Sequence, residues 1–301
     1  MQLKKVIYGW IEKNFLNGCS DYNSLSVRKS CRSKFQSREM FAKHGIPYAK
    51  GLVFFNPYTA YKFAKEHGFP LVLKPNVGGF SRGSHFPINN FKEFWIAMFF
   101  VKFWWPTSVV EQYLKGKNYR VVTTKDSVDI AMRRYPAFVT GDGKNSISEL
   151  IDVENRVREE MKLTPVIHLI EKSAQIARHL KKHGLNFDSI PKSGEEIELY
   201  HRVSLAPGGV LKTIDVKTIT PKNKELFIKI LDLFESNLFG IDVIMEQGID
   251  VDYDKQKCIF LEVNSRPYLK MHAYPRYGQI PDMEKFYKKL DVLEVVDRGV
   301  F

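Results

Sequence analysis

Apolar residues along the chain switch repeatedly between the two-residue period of strands and the three-to-four-residue period of helices. Strands are predicted over 71–74, 84–87 and 109–113, over two runs between 120 and 132 joined at Lys125-Asp126, over 197–202 and 213–217, and at 240–244 and 260–264. Helices are predicted over 37–43, which Gly45 and Pro47 stop, and over 57–67, with Gly68 as the stop. Ser146-x-x-Glu149 is a capping box that opens a helix near Ile147. A helix over 167–183 closes at Gly184, Thr220 with Pro221 caps another over 222–238, and the last begins at Met283. The segment 94–105 is conspicuously aromatic; at about twelve residues, with Lys102 inside it, it is too short to span a bilayer. It reads as a buried helix, with an oligomer or membrane contact as the alternative. Ile7, Trp10, Ile11 and Phe15 recur at helical spacing and form an N-terminal amphipathic helix, docked on the main body or lying on a membrane surface. The whole pattern is α/β (α+β) without internal repeat: a helical extension over 1–30, a smaller lobe over 31–107 and a larger one over 108–301.

Composition narrows the partners. With 301 residues the chain can bury a sizeable core, and 44% hydrophobic with 27% charged residues excludes a disordered protein. The formal charge of +12 suits an acidic partner such as a nucleotide, an anionic membrane or an acidic peptide. Its basic residues are dispersed, with no run of five, so no nucleic acid is expected. Cys19, Cys31 and Cys258 form no C-x-x-C and no even disulfide set, which points to a reducing, cytoplasmic location.

The candidate chemistry lies at strand ends. In Phe260-Leu261-Glu262-Val263-Asn264, Glu262 and Asn264 are two apart and share a face, and Asp242 sits on the preceding apolar strand. Two carboxylates and an amide from neighbouring strands make a hard-oxygen site that suits Mg²⁺, which normally arrives with nucleotide phosphate. Upstream, Leu71-Val72-Leu73-Lys74 runs into a glycine-rich turn holding Gly78, Gly79, Ser81 and Gly83, whose backbone can cradle a phosphate beside Lys74. The spacing is neither that of a P-loop nor that of a dinucleotide-binding turn. Arg120, Arg133 and Arg134 are candidates for stabilising charge on a transferring phosphoryl group.

In their order, Lys34, Lys74 with its glycine turn, Glu111 to Leu114, Tyr119-Arg120, Asp242 and Glu262-Val263-Asn264 resemble ATP-grasp ligases. Arg133-Arg134-Tyr135-Pro136-Ala137-Phe138-Val139-Thr140-Gly141-Asp142-Gly143, Ser148-Glu149-Leu150-Ile151 and Met271-His272-Ala273-Tyr274-Pro275 are most similar to the ATP-grasp part of cyanophycin synthetase and fused glutathione synthetases. The likeness runs over about residues 31 to 290. It implies the ATP-grasp fold, two α/β lobes gripping ATP, with Lys34 and Lys74 on the phosphates. It makes Glu111, Gln112, Tyr113 and Leu114 the adenine hinge. Asn118 stands where relatives often have the acidic residue that contacts ribose. Two Mg²⁺ ions, with Mn²⁺ as a substitute, would be held by Asp242, Glu262 and Asn264. Arg266, His272 and Arg276 would lie near the acceptor or acyl phosphate, and Lys212 follows a second glycine-bearing loop. That density of cations implies an acid substrate with a second acidic group.

The implied activity is amide formation between a carboxylate and an amine (an amino acid, peptide or polymer) through an acyl phosphate, with ADP and phosphate released. Cyanophycin synthetase carries further domains that this chain does not have, so a stand-alone relative is expected, as a monomer or a homo-oligomer. The alternative is a nucleotide-regulated binding protein that holds an acidic partner on its basic surface.

Overall fold

The computed structural model describes Tyr22, Asn23, Val27, Cys31 and residues 34–76 and 83–293. Most of the expected N-terminal helix lies outside these residues, as do Gly78, Gly79 and Ser81 and the side chain of Lys34.

The smaller lobe is built from β1 (Gly51–Phe54), α2 (Pro57–His67), β2 (Leu71–Pro75), β3 (His85–Ile88), α3 (Phe91–Trp104) and β4 (Ser108–Gln112), preceded by α1 (Lys34–Lys43). Its sheet has the order β1-β4-β2-β3, antiparallel throughout. Leu71, Leu73 and Val110 bury one face against Phe63 of α2 and Phe94 and Val101 of α3. Strand alternation therefore sends Val72, Lys74 and Glu111 to the helix-free face. Asn56 caps α2 through the Tyr58 N–H (2.9 Å), and Gly68, at φ 70°, ends it where the sequence places the stop.

The larger sheet has the order β11-β10-β5-β6-β9, from β5 (Lys117–Thr124), β6 (Ser127–Tyr135), β9 (Val210–Ile214), β10 (Leu238–Met245) and β11 (Cys258–Asn264). Val121, Ile241 and Val243 pack on Phe41 of α1 and on Phe227 and Ile230 of α6 (Pro221–Leu233). The opposite face, with Val122, Ile130, Met132 and Leu238, is covered partly by the 3-10 turn Leu269–Ala273 and by α7 (Met283–Asp291). A ribbon of β7 (Phe138–Thr140) and β8 (Glu196–Glu198) packs with α4 (Ile147–Glu160) and α5 (Ala174–Lys182) around Val139, Ile151 and Ile176. The capping box at Ser146 and Glu149 is formed.

The strands expected over 197–202 and 213–217 are instead Glu196–Glu198 and Val210–Ile214, and four further expectations change. β4 pairs with β1 and β2, so the chain changes sheet after Gln112 rather than at 107. The helix expected over 167–183 covers only 174–182. The Asn155 side chain accepts from the Ile170 N–H (2.8 Å) and donates to its carbonyl (3.0 Å), holding the preceding stretch out of the helix until Ser173 caps it. α6 stops at Leu233, not 238. Glu235 takes φ 53°, and Asn23 accepts from Ser236 Oγ and the Asn237 N–H, both at 2.8 Å, turning the chain into β10. The aromatic helix is buried on one side only: Phe94, Ala97, Met98 and Val101 face the core, while Phe99 is 65% exposed. Among the described residues no helix is long and apolar enough to cross a membrane.

Candidate active site

On the helix-free face of the small sheet, β4 presents the buried carboxylate of Glu111 next to Lys74 of β2. One Glu111 oxygen pairs with Lys74 Nζ and the other with Arg38 of α1. Arg38 is a site residue that the sequence reading missed, although it stands one helical turn after Lys34. Glu111, expected at the adenine hinge, has its side chain committed to these two cations. The hinge backbone follows it. The Gln112 N–H donates to Lys50 O (2.9 Å) and the Tyr113 N–H to Pro70 O (3.0 Å), whereas the Leu114 N–H has no partner among the described residues. Tyr113 stacks on Phe86 (ring centroids 5.9 Å), and Phe86 meets His201 edge-on (5.0 Å). Burial, then the nearby Arg202 guanidinium, holds the His201 imidazole down at about 4. Arg202 donates to Ser84 O (3.2 Å), at the end of the glycine turn. Gly83 there has φ 72°, and a Cβ would lie 2.7 Å from the Trp105 ring. Phe86, His201 and Arg202 carried no spacing signal in the sequence.

On the large sheet, register does the assembling. Asp242 of β10 lies opposite Glu262 of β11 on one side and Arg120 of β5 on the other, and Asn264 lies opposite Gly240. Arg120 Nε is 2.7 Å from Asp242 Oδ1, and Arg134 Nη2 is 3.3 Å from Oδ2. Asn118, expected near ribose, accepts from Arg134 Nε (2.7 Å) and so orients that guanidinium. Burial pushes the Asp242 carboxyl above the usual range, Arg120 and Arg134 pull it back, and neighbouring Glu262 raises it again.

This donor set fits a hard divalent cation. Asp242 Oδ1 is buried without a well-aligned hydrogen bond, although Arg120 Nε is close. Asn264 Nδ2 donates to Gly240 O (3.2 Å), leaving its oxygen as the acceptor end. Among the described residues no group of three His, Cys, Asp or Glu gathers to hold a metal.

The remaining predicted residues separate. Arg133 neighbours Arg134 on β6 and points to the opposite face, its guanidinium 4.3 Å from the Tyr135 ring centre. Lys212 pairs with Arg133 across β6 and β9 and shares that opposite face. Arg276 forms a two-point ion pair with Glu154 of α4 (2.9 and 3.1 Å), which also holds the fully buried Arg158 (2.9 Å). These three are not brought to Asp242. Arg266 follows β11 directly, and His272 stays with the site. His272 is fully buried, with Nδ1 2.9 Å from Leu269 O and, among the described residues, no partner on Nε2. Burial, with Arg120 and Arg134 nearby, takes its imidazole down to about 4, so it is neutral at pH 7.

The architecture is that of the ATP-grasp fold, and the order of these residues is similar to that in ATP-grasp ligases. No family model matches the chain. It is 29% identical over 290 residues to the cyanophycin synthetase of Crocosphaera subtropica, covering 90% of this chain and 31% of that protein. It is 28% identical over 254 residues to the glutathione biosynthesis bifunctional protein of Clostridium perfringens, covering 82% of this chain and 32% of that one. The chain thus spans about a third of the length of these curated relatives. Among solved structures, a bifunctional glutathione synthetase from Pasteurella multocida superposes with a TM-score of 0.64 at 20% identity, over 91% of this chain and 38% of that one. The VanG D-Ala:D-Ser ligase from Enterococcus faecalis gives 0.51 at 16% identity, over 89% and 62%. These likenesses show the shared fold.

Proposed function

We propose that this chain is an ATP-dependent carboxylate–amine ligase that works through an acyl phosphate. The observation that carries this reading is the buried Asp242 paired across the strands with half-buried Glu262, with Arg120 and Arg134 gathered on the same sheet face. Lys74, positioned by Glu111, contacts nucleotide phosphate; Leu114 offers its N–H to the base, and Phe86 and Tyr113 supply an aromatic wall. Asp242, Glu262 and Asn264 would hold Mg²⁺, one ion or two, with Mn²⁺ as a substitute. When bound, the metal neutralises phosphate charge and fixes the γ-phosphate for in-line transfer.

The substrate carboxylate oxygen forms a bond to the γ-phosphorus as the bond to ADP breaks. Arg120 and Arg134 stabilise the charge spread over the transferring group. The amine nitrogen then bonds to the acyl carbon, phosphate leaves and the nitrogen loses a proton. Closure of the two lobes keeps water from the acyl phosphate. The second acidic group on the acid is assigned to Arg266, which stands two residues after β11 on the segment leaving the Asp242–Glu262 strands.

The test is an ADP-release screen over amino acids and short peptides, with hydroxylamine trapping in the absence of amine. A hydroxamate and ADP are expected from wild type. Glu262→Gln should turn over roughly 100-fold more slowly. Pyrophosphate as product would refute the acyl-phosphate route.

A further inference from the structure

The outer face of the small lobe is not accounted for by nucleotide chemistry. Between Phe94 and Val101, α3 carries only apolar residues, on both its inner and its outer side. Its inner side fills the core, while Trp95 (47% exposed), Ile96 (51%), Phe99 (65%) and Phe100 (50%) face outward. A helix of that kind normally has both sides covered. The aromatic surface continues onto α2. Tyr61 stacks on Trp95 (5.8 Å) and on Tyr58 (6.1 Å), and Phe55, 72% exposed, lies at the start of the same helix. Scattered exposed apolar residues are ordinary, but a contiguous aromatic surface over two helices marks a contact site.

The charges around it identify the partner. Lys62 sits over the Tyr58 ring (4.8 Å), Lys65 over Tyr61 (5.2 Å) and Lys102 over Phe55 (5.3 Å), and Lys92 is exposed on α3. Glu66 and Glu93 are the acids on these two helices. A two-fold contact with a second copy would set this patch against itself, lysine rim to lysine rim, which is repulsive. An anionic headgroup layer is complementary to the same rim. Aromatic side chains that are apolar in the ring and polar at the tip suit the boundary between headgroups and acyl chains. Burial of aromatic surface plus a basic rim supplies the two signals that stable surface attachment needs.

We infer that α2 and α3 form a docking face for an anionic lipid bilayer, placing the ligase at a membrane surface without crossing it. This stands independently of the ligase reading.

The experiment is sedimentation of the full chain with vesicles of phosphatidylcholine alone and of phosphatidylcholine mixed with phosphatidylglycerol. Binding to the mixed vesicles that weakens with salt is expected. Trp95→Ser with Phe99→Ser should reduce it at least tenfold at unchanged melting temperature and ATP affinity. Lys62→Glu with Lys65→Glu should abolish the preference for phosphatidylglycerol. Absence of wild-type binding to either vesicle overturns the inference. So does a dimer, detected by light scattering, that Trp95→Ser with Phe99→Ser dissociates while vesicle binding is unaffected.

Discussion

Arg133 and Arg134 are adjacent on β6, so the pleat sends them to opposite faces, and it is Arg134 that reaches Asp242 (3.3 Å). Arg134→Ala should lower kcat/KM by roughly 100-fold, about 3 kcal/mol in the barrier, whereas Arg133→Ala should stay within about threefold. Equal losses in the two variants would remove the positional distinction. His272 makes a pH prediction. Its ordinary value of 6.5 applies to the unfolded chain and its folded value is about 4. The unfolded chain therefore takes up the proton first, and stability falls as pH drops from about 6.5 through 4. Urea unfolding at pH 7 and pH 5 should differ by about 2 kcal/mol from this group, a difference absent in His272→Leu. At this scale the strand placement of Asp242, Glu262 and Asn264, which β10 and β11 pair across one sheet, was legible because two-residue spacing on apolar strands is a local signal. Arg276 looked like a substrate ligand because sequence proximity to β11 does not reveal that α4 supplies its partner. Arg38 was overlooked although helical spacing from Lys34 pointed to it.

Elements with strong local punctuation were legible and those shaped by distant side chains were not. α2 and the start of α4 follow their caps, Asn56 and the Ser146–Glu149 box. The residues before α5 look helical in composition, yet two hydrogen bonds from Asn155, fifteen residues earlier, hold them out of the helix. α6 ends early because Asn23, more than two hundred residues away, secures the following turn. In α3 the apolar composition gives a helix but does not say which of its sides is covered. The ion pair between Arg276 and Glu154 ties α4 to the segment after β11. Arg276→Ala should destabilise the fold by about 1–3 kcal/mol and leave the KM for ATP unchanged. A raised KM at unchanged melting temperature would return Arg276 to the substrate.

At the level of the whole molecule, two sheets have separate cores, and Arg38 and Arg202 reach across to the small lobe. Such a division is visible in the sequence as two groups of strands, but the change of sheet after Gln112 depends on pairing that no local pattern records. On the proposed reading, in which Lys74 contacts the nucleotide phosphates, Lys74→Ala should weaken ATP binding by about 1–3 kcal/mol in calorimetry, and EDTA should weaken it further. Unchanged affinity would remove Lys74 from the phosphates. The chain enters the small lobe at Lys50 and leaves it at Gln112, and these two residues are joined by a 2.9 Å backbone hydrogen bond. The lobe is therefore inserted like a cassette, with entry and exit side by side, the arrangement in which a segment can be excised without stretching what remains. Replacing residues 51–112 by a few glycines should leave a soluble remnant that melts cooperatively but no longer binds ATP. A gene encoding this chain could accordingly exchange its small lobe while keeping the sheet that carries Asp242 and Glu262.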